Sequence, residues 1–130
     1  MNRTALQDYF SIENFCQIIH DTILDVTEYG ADYLVTNSLA SAGIIHRLEI
    51  IGEIAKNLST EVKQEFNEIP WQDIARTRDL LAHHYHRIDP EMIKLILTEQ
   101  IPKLAQSTAS LKKFVYERLD GGDKSSIKTA

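Results

Sequence analysis

The sequence predicts an all-α protein, an antiparallel bundle of four to five helices. Apolar residues recur at intervals of three and four along most of the chain, which is the period of a helix with one buried face. Alternating apolar and polar residues nowhere run long enough to predict a strand. Helix-capping residues stand where the helical patterns begin, and short connections between the patterns favour a bundle.

The first two predicted helices each carry one apolar stripe. The stripe of the first is Tyr9, Ile12, Cys16, Ile19, Ile23 and Val26. The pattern breaks around Gly30, and the second helix is expected to begin near Thr36–Ser38, where each side chain can cap a helix. Its apolar positions are Ile44, Leu48, Ile51, Ala55 and Leu58.

Three further helices are predicted in the second half of the chain. Ser59 is placed to cap a short third helix, and Pro70 suits the first position of a fourth. Asp89 and Pro90 repeat this start and begin the last helix. Pro102 lies inside that helix and is expected to kink or divide it. The apolar positions of the last helix are Ile93, Leu97, Ile101, Leu104, Leu111 and Val115.

Composition favours one small globular domain. The chain has 130 residues, of which 43% are hydrophobic and 25% charged. We expect a helical domain over residues 1–119 and a flexible tail over residues 120–130, because the tail is rich in glycine, serine and charge. No signal peptide and no membrane association are expected, and the single cysteine, Cys16, favours a cytoplasmic location.

The net charge of −5 bears on the class of partner. It argues against a protein that coats nucleic acid through a broad basic face. It leaves room for a small local site that holds one or two phosphates.

Cationic and titratable side chains crowd into the stretch RTRDLLAHHYHRIDP, residues 76–90. Pro90 restricts the residue before it, so the fourth helix must end between Tyr85 and Asp89. The histidines therefore fall at a helix C-terminus, where the helix dipole attracts cations. That attraction is a structural explanation for the cluster, and a functional site is the other.

Arg78 and His83 cannot share one phosphate on a single regular helix. They are five residues apart, which separates them by roughly 140° around the axis. A site that uses both needs a distorted helix end or a second copy of the helix from a partner chain. Asp79 and His83 are four apart and can interact, and a carboxylate beside an imidazole fixes the orientation of the ring.

The pattern Arg-x4-His-x-Tyr, formed by Arg78, His83 and Tyr85, resembles the signature of the HEPN superfamily. It resembles most closely the HepT-like toxins of the HepT/MntA type VII toxin–antitoxin systems, which are encoded beside a small nucleotidyltransferase antitoxin. The segments RLEIIGEIAKNLS, EIPWQDIARTRDLLAHHY and LILTEQIPKLAQ also resemble this family, over about residues 6 to 118. The family usually has Asn where this chain has Asp79. The added negative charge could weaken RNA binding or activate His83, and both effects stay open.

The resemblance implies an all-helical homodimer in which two copies of the motif face each other across a cleft. It implies metal-independent RNA cleavage without a cofactor, with Arg78 and His83 catalytic and Asp79 supporting. The products would be a 2′,3′-cyclic phosphate and a 5′-hydroxyl. The resemblance also implies that the cognate nucleotidyltransferase antitoxin transfers AMP to Tyr85 and so blocks RNA. Possible RNA contacts are Arg76, His84 and His86, and for Tyr85 a packed aromatic side chain is the plain structural alternative.

Other polar positions carry weaker indications. His46, Glu49 and Glu53 share one face of the second helix and could bind a metal, but a di-iron bundle would need a larger ligand set. A solvated or interface-facing polar stripe is favoured, and support of the neighbouring motif by Glu49 and Glu53 with Arg47 is the alternative. The rival function is a non-catalytic helical module that binds a nucleotide or substrate for a separate nucleotidyltransferase. Such a module would not need the Arg78–His83 pair.

Overall fold

A computed structural model describes residues 3–83 and 88–128 of the chain. These residues form helices and contain no strand, which confirms the all-α prediction. In chain order the elements are α1 (Ala5–Tyr29), α2 (Ala31–Thr36), α3 (Ser38–Asn57), α4 (Thr60–Glu65), α5 (Trp71–His83), α6 (Pro90–Leu95), a π-helical segment (Ile96–Gln100), α7 (Ile101–Ala105), α8 (Thr108–Glu117) and α9 (Gly121–Lys128).

The predicted break at Gly30 is confirmed, but it is a single residue long. Gly30 has φ 82°, a conformation that L side chains rarely adopt, so glycine ends α1 there without strain. The chain then forms the short helix α2, where the sequence had predicted only an interruption. The Asn37 side chain accepts a hydrogen bond from the Ala40 amide and caps α3, within the predicted start.

The other helix starts follow their predicted caps. The Ser59 hydroxyl accepts from the Val62 amide at the start of α4, and the Asp89 carboxylate accepts from the Glu91 amide at the start of α6. Trp71 begins α5 directly after Pro70 and is buried, with its indole N–H donating to the Phe66 carbonyl. The described part of α5 reaches His83. The predicted end, between Tyr85 and Asp89, overlaps residues 85–87, which lie outside the described part.

Pro102 divides the last predicted helix. Proline has no backbone N–H and its ring clashes with the preceding turn, so a regular helix cannot continue through it. The π-helical segment Ile96–Gln100 precedes it, and there the Ile101 amide donates to the Ile96 carbonyl, five residues back. The chain is interrupted again after α7, before α8 begins at Thr108.

The core is built from the predicted apolar stripes. On α1 the buried members are Ile12, Cys16 and Ile19, joined by Phe15, which the stripe did not include. The elements after Pro90 add buried leucine, isoleucine and valine from the predicted positions Leu97, Ile101, Leu111 and Val115. α5 is the exception, because only Trp71 and Leu81 of its described side chains are buried.

The C-terminal segment contains one more helix. Residues 121–128 form α9, and the flexibility of the tail over residues 120–130 stays a prediction. The Asp120 carboxylate accepts from the Asp123 amide at the start of α9, which offsets part of the poor helix propensity. Across all the described helices, none has both the length and the hydropathy needed to cross a membrane.

Candidate functional site

α5 carries the motif residues and lies against α3 as its main neighbour. One face of α5 buries Trp71 and Leu81. The opposite face is a stripe of exposed side chains spaced three and four residues apart. We call this stripe the outer face of α5; it consists of Arg76, Asp79, Leu80 and His83.

Arg78 lies apart from the outer face, where α5 meets α3. Its side chain is 31% exposed and its base packs directly on Gly52 of α3. A Cβ atom on Gly52 would stand 2.1 Å from the Arg78 Cβ and 2.9 Å from its Cγ. Only a residue without a side chain allows this approach, so Gly52 sets how closely Arg78 rests on α3.

Two carboxylates hold the Arg78 guanidinium. The Glu53 Oε2 atom lies 3.3 Å from Nε, and the Asp79 Oδ1 atom accepts from Nη1 at 3.2 Å. Among the described residues Nη2 donates no hydrogen bond to a carboxylate. A guanidinium is always charged and offers paired N–H groups, so Nη2 can still donate to a phosphate oxygen.

Glu53 is itself held in place by its own helix. The Asn57 amide nitrogen donates to Glu53 Oε1 at 2.9 Å and to the Glu53 backbone carbonyl at 3.0 Å. One carboxylate oxygen therefore meets Asn57 while the other meets Arg78. The hypothesis that Glu53 supports the motif is consistent with this contact. Arg47 has another role, because it pairs with Asp25 of α1 at 2.7 Å.

His83 is exposed in the last described turn of α5. It lies on the outer face, whereas Arg78 turns toward α3, so a single chain does not bring the two together. Asp79, expected to interact with His83, instead bonds Arg78 in this structure. This arrangement agrees with the helical geometry, by which a site that uses both side chains needs a distorted helix end or a second chain.

Of the remaining predicted site residues, only Arg76 lies in the described part of the chain. Arg76 is exposed and paired with Asp73 at 3.1 Å, an exposed pair of the kind that gives way easily to a stronger partner. His84, Tyr85 and His86 lie outside the described residues.

The alternative sites receive no support from the described part of the chain. Within residues 3–83 and 88–128 no three histidine, cysteine or acidic side chains group closely enough to hold a metal ion. Cys16 is buried at 4% exposure, as predicted for a core residue. Burial raises the pKa of its thiol to about 12, so it stays protonated and unreactive at neutral pH.

Two residues of this site were not identified from the sequence. Gly52 stands in the middle of a strongly helical pattern, which is itself an indication of a close packing contact. Asn57 follows Glu53 by four residues, a spacing that places both on one helix face. Neither observation indicates Arg78 as the partner, because that contact joins residues from two helices.

The family described as "Ribonuclease HepT-like" matches residues 12–111. The chain is 32% identical over 119 residues to "Putative RNase MJ0127" of Methanocaldococcus jannaschii, and the match covers 92% of each protein. No solved structure matches.

Two further relatives are longer than the region they share with this chain. The first, "Gamma-glutamylcyclotransferase and putative RNase MJ0434" of Methanocaldococcus jannaschii, is 34% identical over 104 residues, which are 80% of this chain and 44% of that protein. The second, "Probable ribonuclease HepT" of Thermococcus cleftensis, is 40% identical over 70 residues, which are 54% of this chain and 64% of that protein. The chain therefore spans less than two thirds of the length of these two relatives.

Proposed function

Since the chain belongs to the HepT-like ribonuclease family, we propose that it is an RNA endonuclease that acts as the toxin of a toxin–antitoxin pair. The observation that carries the proposal is the exposed His83 on the same helix as an anchored Arg78, whose Nη2 donates no hydrogen bond to a carboxylate among the described residues. A module that only bound nucleotides would need the arginine but not the histidine.

The chemistry is an attack of a ribose 2′-hydroxyl on the adjacent phosphate. Imidazole gains and loses protons near neutral pH, so His83 removes the 2′-hydroxyl proton as the new 2′-O–P bond forms. The P–O5′ bond breaks, and a protonated His83 of the partner subunit gives its proton to the leaving oxygen. Arg78 stabilises the charge that develops on the phosphorane. The products are a 2′,3′-cyclic phosphate and a 5′-hydroxyl, and every step is carried by side chains rather than by a metal.

The test of the activity uses purified, unmodified protein with labelled RNA in EDTA. We expect cleavage that leaves 2′,3′-cyclic phosphate ends. Arg78→Ala and His83→Ala should each lower the rate by about 100-fold or more while the helical circular dichroism persists. Lys113→Ala, which removes an exposed cation on α8, is the control and should cleave normally. A need for Mg²⁺, or full activity in His83→Ala, would refute the mechanism.

We also propose that the antitoxin silences this chain by transferring AMP to Tyr85. The resemblance supports this role, and the expected helix end near Asp89 would let the hydroxyl reach the rim of the cleft. The added phosphodiester would compete with RNA for Arg78.

Co-expression with the neighbouring nucleotidyltransferase tests this regulation. Intact-mass spectrometry should find one or more added AMP groups, and peptide mapping should place them on Tyr85. Tyr85→Phe should stay unmodified. The control is Tyr33→Phe, which changes another, exposed tyrosine and should be modified normally. A neutralised complex with unmodified Tyr85 would show that the antitoxin acts by covering the site instead.

A further inference from the structure

The contacts of Arg78 differ in how firmly each partner is held. Asp79 follows Arg78 on the same helix, is 51% exposed, and has no hydrogen bond or ion pair from its side chain to any other described residue. Glu53 comes from α3, and Asn57 fixes its other carboxylate oxygen at 2.9 Å. Glu53 is therefore the partner that can set the orientation of the guanidinium.

The backbone beneath this contact is also fixed. Gly52 precedes Glu53, and its missing side chain lets α5 approach until Arg78 rests on α3. The Ile74 carbonyl of α5 would stand 3.1 Å from a Cβ at Gly52, so the close approach extends over more than one turn of α5. Two consecutive residues of α3 thus contact Arg78. Gly52 packs on the base of its side chain, and Glu53 pairs with its guanidinium.

An ion pair of this kind adds little to the stability of the fold. The Glu53 side chain is 50% exposed and that of Arg78 is 31% exposed, so water and salt screen their attraction. The carboxylate also lowers the local positive potential and so opposes the binding of a phosphate. Because Glu53 contributes little to stability and weakens phosphate binding, its clearest benefit is to orient the Arg78 guanidinium.

We infer that Glu53 is a positioning residue for Arg78, held by Asn57 and placed by Gly52. It pairs with Nε of the guanidinium, so that Nη2 is left to donate to the RNA phosphate. The inference rests on the proposed ribonuclease function. It assigns the C-terminal half of α3 to the active site, although no residue of α3 would touch the reacting atoms.

The expected signature is a separation of kcat from KM. In Glu53→Gln the guanidinium loses its fixed orientation, so kcat should fall by about 10- to 100-fold. Removal of the negative charge favours phosphate binding, so KM should stay constant or fall by up to about fivefold. Asn57→Ala should lower kcat in the same direction. Glu117→Gln makes the same charge change on α8, which packs on α1, and should match the wild type.

A spectroscopic measurement tests whether Glu53 acts by orienting the Arg78 guanidinium or in another way. In ¹⁵N NMR spectra of the full chain, the Nε–H signal of Arg78, assigned by its loss in Arg78→Lys, reports the Glu53 contact without any substrate. We expect Glu53→Gln to shift this signal and speed its exchange with water, and Glu117→Gln to leave it unchanged. Circular dichroism and thermal melting verify that each variant is folded.

Each outcome decides one of the two claims. Cleavage by the wild type with a lowered kcat and a shifted Nε–H signal in Glu53→Gln supports both. Cleavage by Glu53→Gln within about twofold of the wild type overturns the positioning role and leaves the ribonuclease function intact. A lowered kcat with an unchanged Nε–H signal also overturns it, because Glu53 would then act elsewhere. A wild-type chain that cleaves no RNA overturns the proposed function and this role with it.

Discussion

Asp79 is the residue whose effect the structure makes predictable. The sequence left two possibilities open, that its charge weakens RNA binding or that it activates His83. The carboxylate accepts from Arg78 Nη1 at 3.2 Å, on the same guanidinium whose Nη2 would bind the phosphate. In this position Asp79 competes with RNA for Arg78, so the weakening effect is the one that the geometry favours.

We therefore predict that Asp79→Asn binds RNA more tightly. Loss of one exposed, competing charge should lower KM by about two- to fivefold, with kcat maintained. The gain should shrink as salt is added, because salt screens exposed charges. Cleavage kinetics at two salt concentrations check this expectation. If kcat falls in Asp79→Asn instead, the result supports the other interpretation, in which the carboxylate activates His83.

At the scale of helices, the packing of α5 on α3 determines where the motif lies. α5 buries few of its own side chains, so its position depends on this one neighbour more than on the core. Gly52 is the point of closest approach. Gly43, earlier on the same helix, has open space where a Cβ would stand, with no atom within 4 Å, and provides a matched comparison.

Gly52→Ala and Gly43→Ala should therefore have opposite effects. At Gly43 alanine should stabilise the protein by up to about 1 kcal/mol, because it favours the helix and meets no neighbour. At Gly52 the same helix preference is outweighed by overpacking of about 1–3 kcal/mol, since α5 must move away. Urea unfolding measures both changes, and cleavage should fall only in Gly52→Ala. Equal stabilisation by both variants would mean that the helices do not meet closely at Gly52.

At the scale of the whole molecule, we propose a site that two chains share. Arg78 turns toward α3 and His83 lies on the outer face of α5, so a regular α5 would offer only one of the two to a given phosphate. Leu80 lies on that outer face and is 41% exposed, an apolar side chain among charged neighbours. A shared cleft lined by two α5 helices would cover it.

We predict a dimer in sedimentation experiments at micromolar concentration. Leu80→Asp should dissociate the dimer and abolish cleavage with the helical content intact, because it places a charge where the two helices would meet. Leu24→Asp changes a leucine of α1 that is 53% exposed and should remain dimeric and active. An active wild-type monomer would contradict the shared site.

Asp8 belongs to no motif, yet it links separate segments of the folded chain. Its carboxylate is 2% exposed and joins three distant parts of the chain: Arg3 before α1, the Ser59 amide at the start of α4, and Arg118 after α8. A buried carboxylate is tolerated because these cationic and amide partners surround it. The apolar stripe of α1 gives no indication of this contact.

The sequence by itself determined the helical class, the starts of α3, α4, α5 and α6, and the candidate pair Arg78 and His83. Helix starts are local, since a capping side chain bonds an amide two or three residues away, as Asn37, Ser59 and Asp89 do. The apolar stripes were predictable for the same reason, because one helix face faces the core. The motif is also compact enough to be identified along the chain.

Only the tertiary structure decided what surrounds that motif. The contact of Glu53 with Arg78 spans 25 positions of sequence, and its orientation depends on the approach at Gly52. The same is true of Asp8, whose burial depends on partners from both ends of the chain. Such contacts arise from how separate helices pack, and a linear pattern records the period of each helix but not the distance between two of them.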